Sequence, residues 1–300
     1  MDKKVYDLII IGMGISGISA AIYAKRANLD VLILDKSMPG GLLNTIESID
    51  NFPSYTKVSG PDLAMKLKEQ LDALEVECKY EEVRDLVDNK ETKEIITNNA
   101  TYVTKYVLIA TGRSQRTLGL PNEQELLGRG ISTCALCDAN FFKGKDIAVV
   151  GGGNSALQEA LYLAKIVNKI YLIHRKDKFT ANASLIDKIN NTENIEIIYK
   201  ANITELVSKD ECLDGVILNN GTKIDVSGLF VYIGFTPKTK FIDGLDITNE
   251  RGYIVVNEKG ETKVSGVYAS GDIVDKKVYQ LINAASEGVL ATLDIIDKLK

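Results

Sequence analysis

A chain of 300 residues, 45% hydrophobic and 26% charged, is long enough for two separate cores and ordinary in make-up for a globular protein. A net charge of -5 gives no electrostatic basis for nucleic acid or an anionic membrane surface as partner, and no apolar run reaches the roughly 20 residues that span a bilayer. The single histidine, His174, leaves too few ligands for a histidine-rich metal site, and four cysteines do not make a secreted disulfide framework, so no metal is expected and the cytoplasm is the expected location.

Residues 5–11 are rich in β-branched residues and nearly all apolar, as a buried parallel strand should be. No small-residue cleavage site follows them, so they are not read as a signal peptide. Gly12-Met13-Gly14-Ile15-Ser16-Gly17 comes next and leads into a helix at 18–27, then a strand at 31–34 ending in Asp35 and Lys36. In a G-x-G-x-x-G the first glycine turns the chain, the second admits a pyrophosphate and the third lets helix pack on strand. An acid about 20 residues on accepts from a ribose hydroxyl. Strand, helix, strand and acid all fit a dinucleotide-binding fold.

Pro39-Gly40-Gly41-Leu42 is a second glycine-rich loop, either a plain turn or backbone passing close to a flat ring. Asp50-Asn51-Phe52-Pro53 is a turn with polar groups. An amphipathic helix is expected over 61–74, with Pro61 in its first turn, and small-sheet strands over 75–110. That stretch closes at Ala110-Thr111-Gly112, and 113–121 reads as a crossing linker.

Cys134-Ala135-Leu136-Cys137-Asp138 is the candidate for the chemistry. A Cys-x-x-Cys pair can close a local disulfide and favours a thiolate near neutral pH, the attacking species in disulfide exchange. A structural disulfide or half a zinc site are the alternatives; the lack of a second Cys-x-x-Cys disfavours zinc. Cys78 and Cys212 read as small buried residues.

A second βαβ unit follows: a strand at 146–150, Gly151-Gly152-Gly153-Asn154-Ser155-Ala156 as G-x-G-x-x-A, a helix at 157–167 and a strand at 169–173. His174-Arg175-Lys176 stands where the first unit has its acid, either as a solvated strand end or as a phosphate contact. Strands alternate over 196–235, with a turn at Asn219-Asn220-Gly221. Gly266 to Asp272 is a strand ending in Gly271-Asp272, and the last helix starts at Gln280. The expected fold is α/β, two Rossmann-like three-layer dinucleotide-binding domains with the second inserted into the first. The expected boundaries are 1–115 with 246–300, and 116–245.

In this order, Gly12-x-Gly14-x-x-Gly17, Gly40-Gly41, Ala110-Thr111-Gly112, Cys134-x-x-Cys137-Asp138, Gly151-x-Gly153-Asn154-Ser155-Ala156, His174-Arg175 and Gly271-Asp272 resemble the low-molecular-weight thioredoxin reductases over essentially the whole chain. The resemblance implies an FAD domain, an inserted pyridine-nucleotide-type domain, a homodimer, and thioredoxin or a thioredoxin-like protein as partner. It implies that Cys137 faces the flavin, Cys134 attacks the partner disulfide and Asp138 moves the proton. It also implies that Gly12, Gly14, Ser16, Gly17, Asp35, Lys36, Gly41, Leu42, Asn51, Ala110, Thr111, Gly112, Gly271, Asp272 and Gln280 line the FAD. Gly151, Gly153, Asn154, Ser155, Ala156, His174, Arg175 and Lys176 would form the second nucleotide site.

The sequence departs from the family at three places. The family's His-Arg-Arg-x-x-x-Arg phosphate grip is His174-Arg175-Lys176 ending in Thr180, its Gly-Gly-Gln is Gly40-Gly41-Leu42, and its Arg-Gln is Tyr279-Gln280. These point to a donor other than NADPH, either reduced ferredoxin or a second flavin, with use of NADPH or NADH left open. An ordinary NADPH enzyme and a flavin sensor or carrier without turnover are the competing expectations.

Overall fold

The computed structural model describes residues 4–46 and 48–300, which form two compact units. The first unit is built from two separate stretches, up to Ser114 and from Pro237 onward; the second is Gln115–Thr236.

The first unit opens with β1 (Val5–Ile11), α1 (Ile15–Arg26) and β2 (Val31–Asp35), then α2 (Gly60–Ala73), β3 (Glu77–Tyr80), β4 (Val83–Asp88), β5 (Lys93–Thr97) and β6 (Thr101–Ile109). The sheet runs β3-β2-β1-β6-β5-β4, parallel from β3 to β6 and antiparallel beyond. Successive β1 side chains serve opposite faces, as strand geometry demands. Ile9 and Ile11 pack with Leu86, Ile95 and Ile254 on one face, while Leu8 and Ile10 pack with Ile18, Ala21 and Ile295 on the other. Both faces are covered, so the strand is apolar at almost every position.

The chain leaves through β7 (Arg113–Gln115), which pairs with the returning strand over Phe235–Pro237. The second unit then contains α3 (Glu123–Leu126), β8 (Ile131–Ser132), α4 (Ala135–Asp138), β9 (Asp146–Gly151), α5 (Asn154–Leu163), β10 (Lys169–His174), α6 (Ala183–Asn190), β11 (Ile195–Tyr199), β12 (Ile203–Lys209), β13 (Cys212–Leu218), β14 (Lys223–Ile224) and β15 (Gly228–Tyr232). Its main sheet, β11-β10-β9-β15-β8, is parallel throughout, and β12-β13-β14 form an antiparallel layer. Ile147 and Val149 face α5, whereas Ala148 and Val150 face Leu206, Val216 and Ile224 of that layer. The returning strand is β16 (Phe235–Pro237); β17 (Val267–Ala269) then pairs with β6, and α7 (Leu281–Leu299) packs on α1.

Two Rossmann-like layers of parallel sheet, the second unit inserted into the first, is the α/β architecture expected. The second boundary differs from the expected 245/246 and lies at Thr236/Pro237. The reason is packing: the turn Lys240–Leu245 puts Ile242, 1% exposed, into the core that holds Ile9 and Ile109. The helix expected at 157–167 runs Asn154–Leu163, because Gly153 caps its start in extended backbone.

Candidate active site

In the first unit, β1 delivers a buried strand end to Gly12-Met13-Gly14. A Cβ on Gly17 would collide with the carbonyl of Gly12, so only glycine lets α1 rest on its own entry turn. Gly14 caps α1, with no side chain answering the first-turn N–H groups and no acid in that turn. A Cβ there would meet nothing within 4 Å. Bare N–H groups, a positive dipole end and open space are what a phosphate needs.

Asp35 ends β2 facing the same turn. One carboxylate oxygen accepts from Met13 N at 2.7 Å and the other from Ser37 N at 3.0 Å. Each oxygen keeps a lone pair for a hydroxyl. Gly12, Asp35, Lys36 and Thr111 line one cleft of about 570 Å³. Gly40 N donates to Met13 O at 2.7 Å, which brings Gly41 within reach of Gly14, and Leu42 stands half-buried beside it. Ala110 N is tied to Ile11 O at 2.8 Å, Gly112 O accepts from Lys238 N at 3.2 Å, and Ser16 Oγ shares a 2.7 Å hydrogen bond with Ser270 Oγ.

Asn51, Gly271, Asp272 and Gln280 do not line that cleft. Asn51 Nδ2 donates to Gln280 Oε1 at 3.1 Å, and Gly271 N to Glu287 at 2.9 Å. Asp272 pairs with Arg113 at 3.1 Å, and that guanidinium lies 4.1 Å from the ring centre of Tyr279. The departure at Tyr279 thus has a structural partner.

Lys238 lines the cleft and escaped the sequence reading. Burial pushes its ammonium below the usual lysine range, with Asp35 opposing and Lys36 adding to the shift. Its backbone is fixed by Thr111 Oγ1, which donates to Lys238 O at 3.1 Å. Placing the boundary at 245 had put Lys238 in the other unit; the Pro237 after the β15 strand and Gly234 was the signal available.

In the second unit, Gly151 to Ala156 repeat the strand–turn–helix plan. Asn154 and Ser155 are exposed and Ala156 is buried at the start of α5, and no side chain caps that helix. His174 is not an exposed cation. It is 7% exposed, its ring fills the space beside Gly152, and Nε2 bonds Lys178 O at 3.0 Å. Burial lowers its pKa, opposed by the Lys178 bond and aided by Lys176 and Arg175. Arg175 and Lys176 remain exposed. Thr180 folds back: its amide and its hydroxyl both donate to Gly152 O, at 2.8 and 3.1 Å.

Cys134 caps the four-residue turn α4 and Cys137 lies on it; the two form a disulfide, with Cα atoms 5.3 Å apart. Cys137 is exposed and Cys134 half-buried, and Asp138 ends the turn. Cys134 N donates to Ser132 Oγ at 3.0 Å, Cys137 N to Cys134 Sγ at 3.1 Å, and Ala135 N to Tyr232 Oη at 3.1 Å. The Cys137 N–H can therefore steady charge on Cys134 once the bond opens, the species that disulfide exchange requires. Cys78 is half-buried, and burial raises its thiol pKa. Cys212 is exposed, not buried as expected, because it follows the left-handed turn Asp210-Glu211 on an open hairpin end. Among the described residues no group of three or more His, Cys, Asp or Glu side chains could hold a metal, and no helix is long and apolar enough to cross a membrane.

Residues 6–288 match the model of the pyridine nucleotide-disulphide oxidoreductases. The chain is 36% identical over 299 residues to the thioredoxin reductase of Bacillus subtilis (strain 168), covering 98% of this chain and 95% of that one. It is 39% identical over 299 residues to the thioredoxin reductase of Ureaplasma parvum serovar 3, at 98% and 96% coverage. Among solved structures it is similar to Lactococcus lactis thioredoxin reductase, with a TM-score of 0.91, 35% identity, and 97% and 98% of the two chains covered. It is also similar to a ferredoxin-flavin thioredoxin reductase of Clostridium acetobutylicum, with a TM-score of 0.56, 31% identity and 99% of each chain covered. With a glycine-turn cleft in one unit and a disulfide on an exposed turn in the other, the chain belongs to the pyridine nucleotide-disulphide oxidoreductases as a flavoprotein disulfide oxidoreductase of the thioredoxin reductase kind.

Proposed function

We propose that this enzyme reduces the disulfide of thioredoxin or a thioredoxin-like protein through the Cys134–Cys137 pair, with FAD held in the first unit and with a donor other than NADPH. The bare N-terminus of α1 and the cleft beside Asp35 fit a dinucleotide, which supports FAD there. Gly12, Gly14, Gly17, Asp35 and Lys238 would hold it, with Gly41, Asn51, Asp272 and Gln280 nearer the ring. FAD, when bound, supplies two-electron storage. As the family resemblance implies, Cys137 would be the sulfur that takes electrons from the flavin. Cys134 attacks the partner disulfide as thiolate, steadied by the Cys137 N–H at 3.1 Å. Asp138 holds and returns the proton at the thiol.

The observation that carries the donor reading is Thr180, whose amide and hydroxyl are both committed to Gly152 O. A cation at that position would add a charge-assisted bond worth about 1.5–3 kcal/mol to a 2′-phosphate, so its absence weakens NADPH about 10- to 100-fold. Reduced ferredoxin at about -400 mV lies well below thioredoxin at about -270 mV, which is enough drive for the transfer. The Clostridium acetobutylicum relative is named for that donor. One feature favours an ordinary NADPH enzyme instead: Arg175 and Lys176 stay exposed at the end of β10. A homodimer goes with the reading, supported by exposed Ile282, Leu290 and Leu293 on α7. So does a cytoplasmic setting, where thiols are kept reduced.

The test is anaerobic mixing of FAD-loaded protein with NADPH, NADH and reduced ferredoxin while the visible flavin band is followed. Bleaching by ferredoxin alone is expected. Rapid bleaching by NADPH would make this an ordinary thioredoxin reductase. Cys134→Ser should abolish disulfide reduction; full activity there would remove the pair from the reaction. A wild type that holds FAD and turns over no thioredoxin with any donor would instead be a sensor or carrier.

A further inference from the structure

The turn that carries the disulfide has few supports of its own. Ala135 is its first residue, so its N–H has no acceptor within the turn. It is 1% exposed, and a buried donor without an acceptor is costly. The acceptor is the phenol oxygen of Tyr232, 3.1 Å away. Tyr232 ends β15, is 9% exposed, and pairs in register with Gly151 of β9. A rigid strand end therefore holds the entry of the cysteine turn. Burial raises the phenol pKa, and the carboxylates of Glu159 and Asp138 add to the shift against the Ala135 bond, so the oxygen keeps its proton.

We infer that Tyr232 is a positioning residue for the cysteine pair, and that its hydrogen bond to Ala135 favours the disulfide over the dithiol. In the oxidised form the S–S bond fixes the turn, and the Ala135 N–H cannot swing to another acceptor. In the dithiol the turn is free to shift, and that N–H can reach water. Loss of the phenol oxygen therefore costs the disulfide more than the dithiol. Opening the S–S bond takes two electrons and two protons to give two thiols. The inference rests on reading the pair as redox-active.

The test equilibrates FAD-loaded wild type, Tyr232→Phe, Ala135→Pro and the double variant against dithiothreitol buffers and counts the thiols gained. Dithiothreitol gives up the two electrons and two protons as it closes to its cyclic disulfide. Proline suits the first position of a helical turn and removes the N–H. Tyr232→Phe is expected to move the equilibrium about tenfold toward the dithiol, roughly 30 mV for a two-electron couple. Ala135→Pro, which leaves no N–H to strand, should stay near wild type, and adding Tyr232→Phe to it should move the equilibrium no further. A structural tyrosine would lower the unfolding temperature of Tyr232→Phe and leave this equilibrium in place, which overturns the inference. Additive shifts in the double variant overturn it too. Should Tyr232→Phe not fold alone, the comparison of Ala135→Pro with the double variant decides, and a tenfold shift between those two counts against it. A wild-type pair that no buffer reduces sinks the redox reading and this inference together; a reducible wild type with an unmoved Tyr232→Phe sinks this inference alone.

Discussion

Lys238, an exposed residue, brings an ammonium to the cleft that Gly12 and Asp35 line, where desolvation holds its pKa below the usual lysine range. An ammonium lining that cleft can donate a charge-assisted hydrogen bond to an anionic group held there. Lys238→Met should therefore loosen FAD by about 10- to 100-fold, the value of one charge-assisted hydrogen bond. The rise of flavin fluorescence on dilution of the loaded protein measures this. Unchanged retention would leave Lys238 as a partner of Asp35 only. The contrast between Lys238 and the glycines is instructive. Gly12, Gly14, Gly17, Cys134 and Cys137 were legible in the sequence because their chemistry depends on spacing along the chain. Lys238 approaches Asp35, more than two hundred positions away, only because Lys240–Leu245 packs back onto the first unit's core. The same holds for Tyr232, whose partner Ala135 lies on another element.

At the scale of elements, the return from β10 decides what the second glycine-rich loop can hold. Thr180 ties that segment to Gly152 by two hydrogen bonds, and His174 packs against the same glycine. Thr180→Arg gives up the hydroxyl bond and adds a cation beside Arg175 and Lys176. It should tighten NADPH about 10- to 100-fold and leave NADH unmoved, because only NADPH carries the 2′-phosphate. Paired titrations with the two nucleotides test this; equal gains would exclude a phosphate contact.

His174 gives this segment a pH dependence. Its folded pKa lies below the ordinary value of about 6.5, so the unfolded chain takes up the proton first. Stability from this group is thus full above that value and falls as pH drops from 7 toward the folded pKa. His174→Phe should flatten the loss between pH 7 and pH 5.5, seen as a smaller difference between the two unfolding temperatures. An equal difference in both proteins would place the dependence on other groups. The strands of this unit and the presence of α5 were legible because their apolar period is unbroken. The eight-residue α6 was not, because its single buried residue, Ile189, leaves too short a pattern to read.

At the scale of the whole molecule, the duplication is visible in sequence as two strand–glycine–helix runs, and the insertion follows from the chain's return to the first unit's character after 250. The point of return was hard to read, because Gly234 and Pro237 mark a break in the chain there but not which core residues 237–245 join. Only the burial of Ile242 beside Ile9 assigns them. That assignment makes a strong prediction about independence. The strands β7 and β16 pair, and Arg116 N donates to Gly234 O at 2.9 Å, so the ends of the insertion lie side by side. A short glycine-containing link can then replace residues 117–233 at small loop-closure cost, since that cost grows only slowly with length. The first unit should keep its seven-stranded sheet, with β17 beside β6 and α7 on α1, because these contacts lie within it. The shortened protein is expected to fold, to carry the visible flavin band, and to reduce no disulfide, since Cys134 and Cys137 have gone with the insertion. Absorbance and circular dichroism of the purified chain read the first two outcomes, and a thioredoxin assay the third. A folded product without flavin would mean that the inserted unit helps to hold FAD, and the cleft beside Asp35 would not be sufficient for the cofactor.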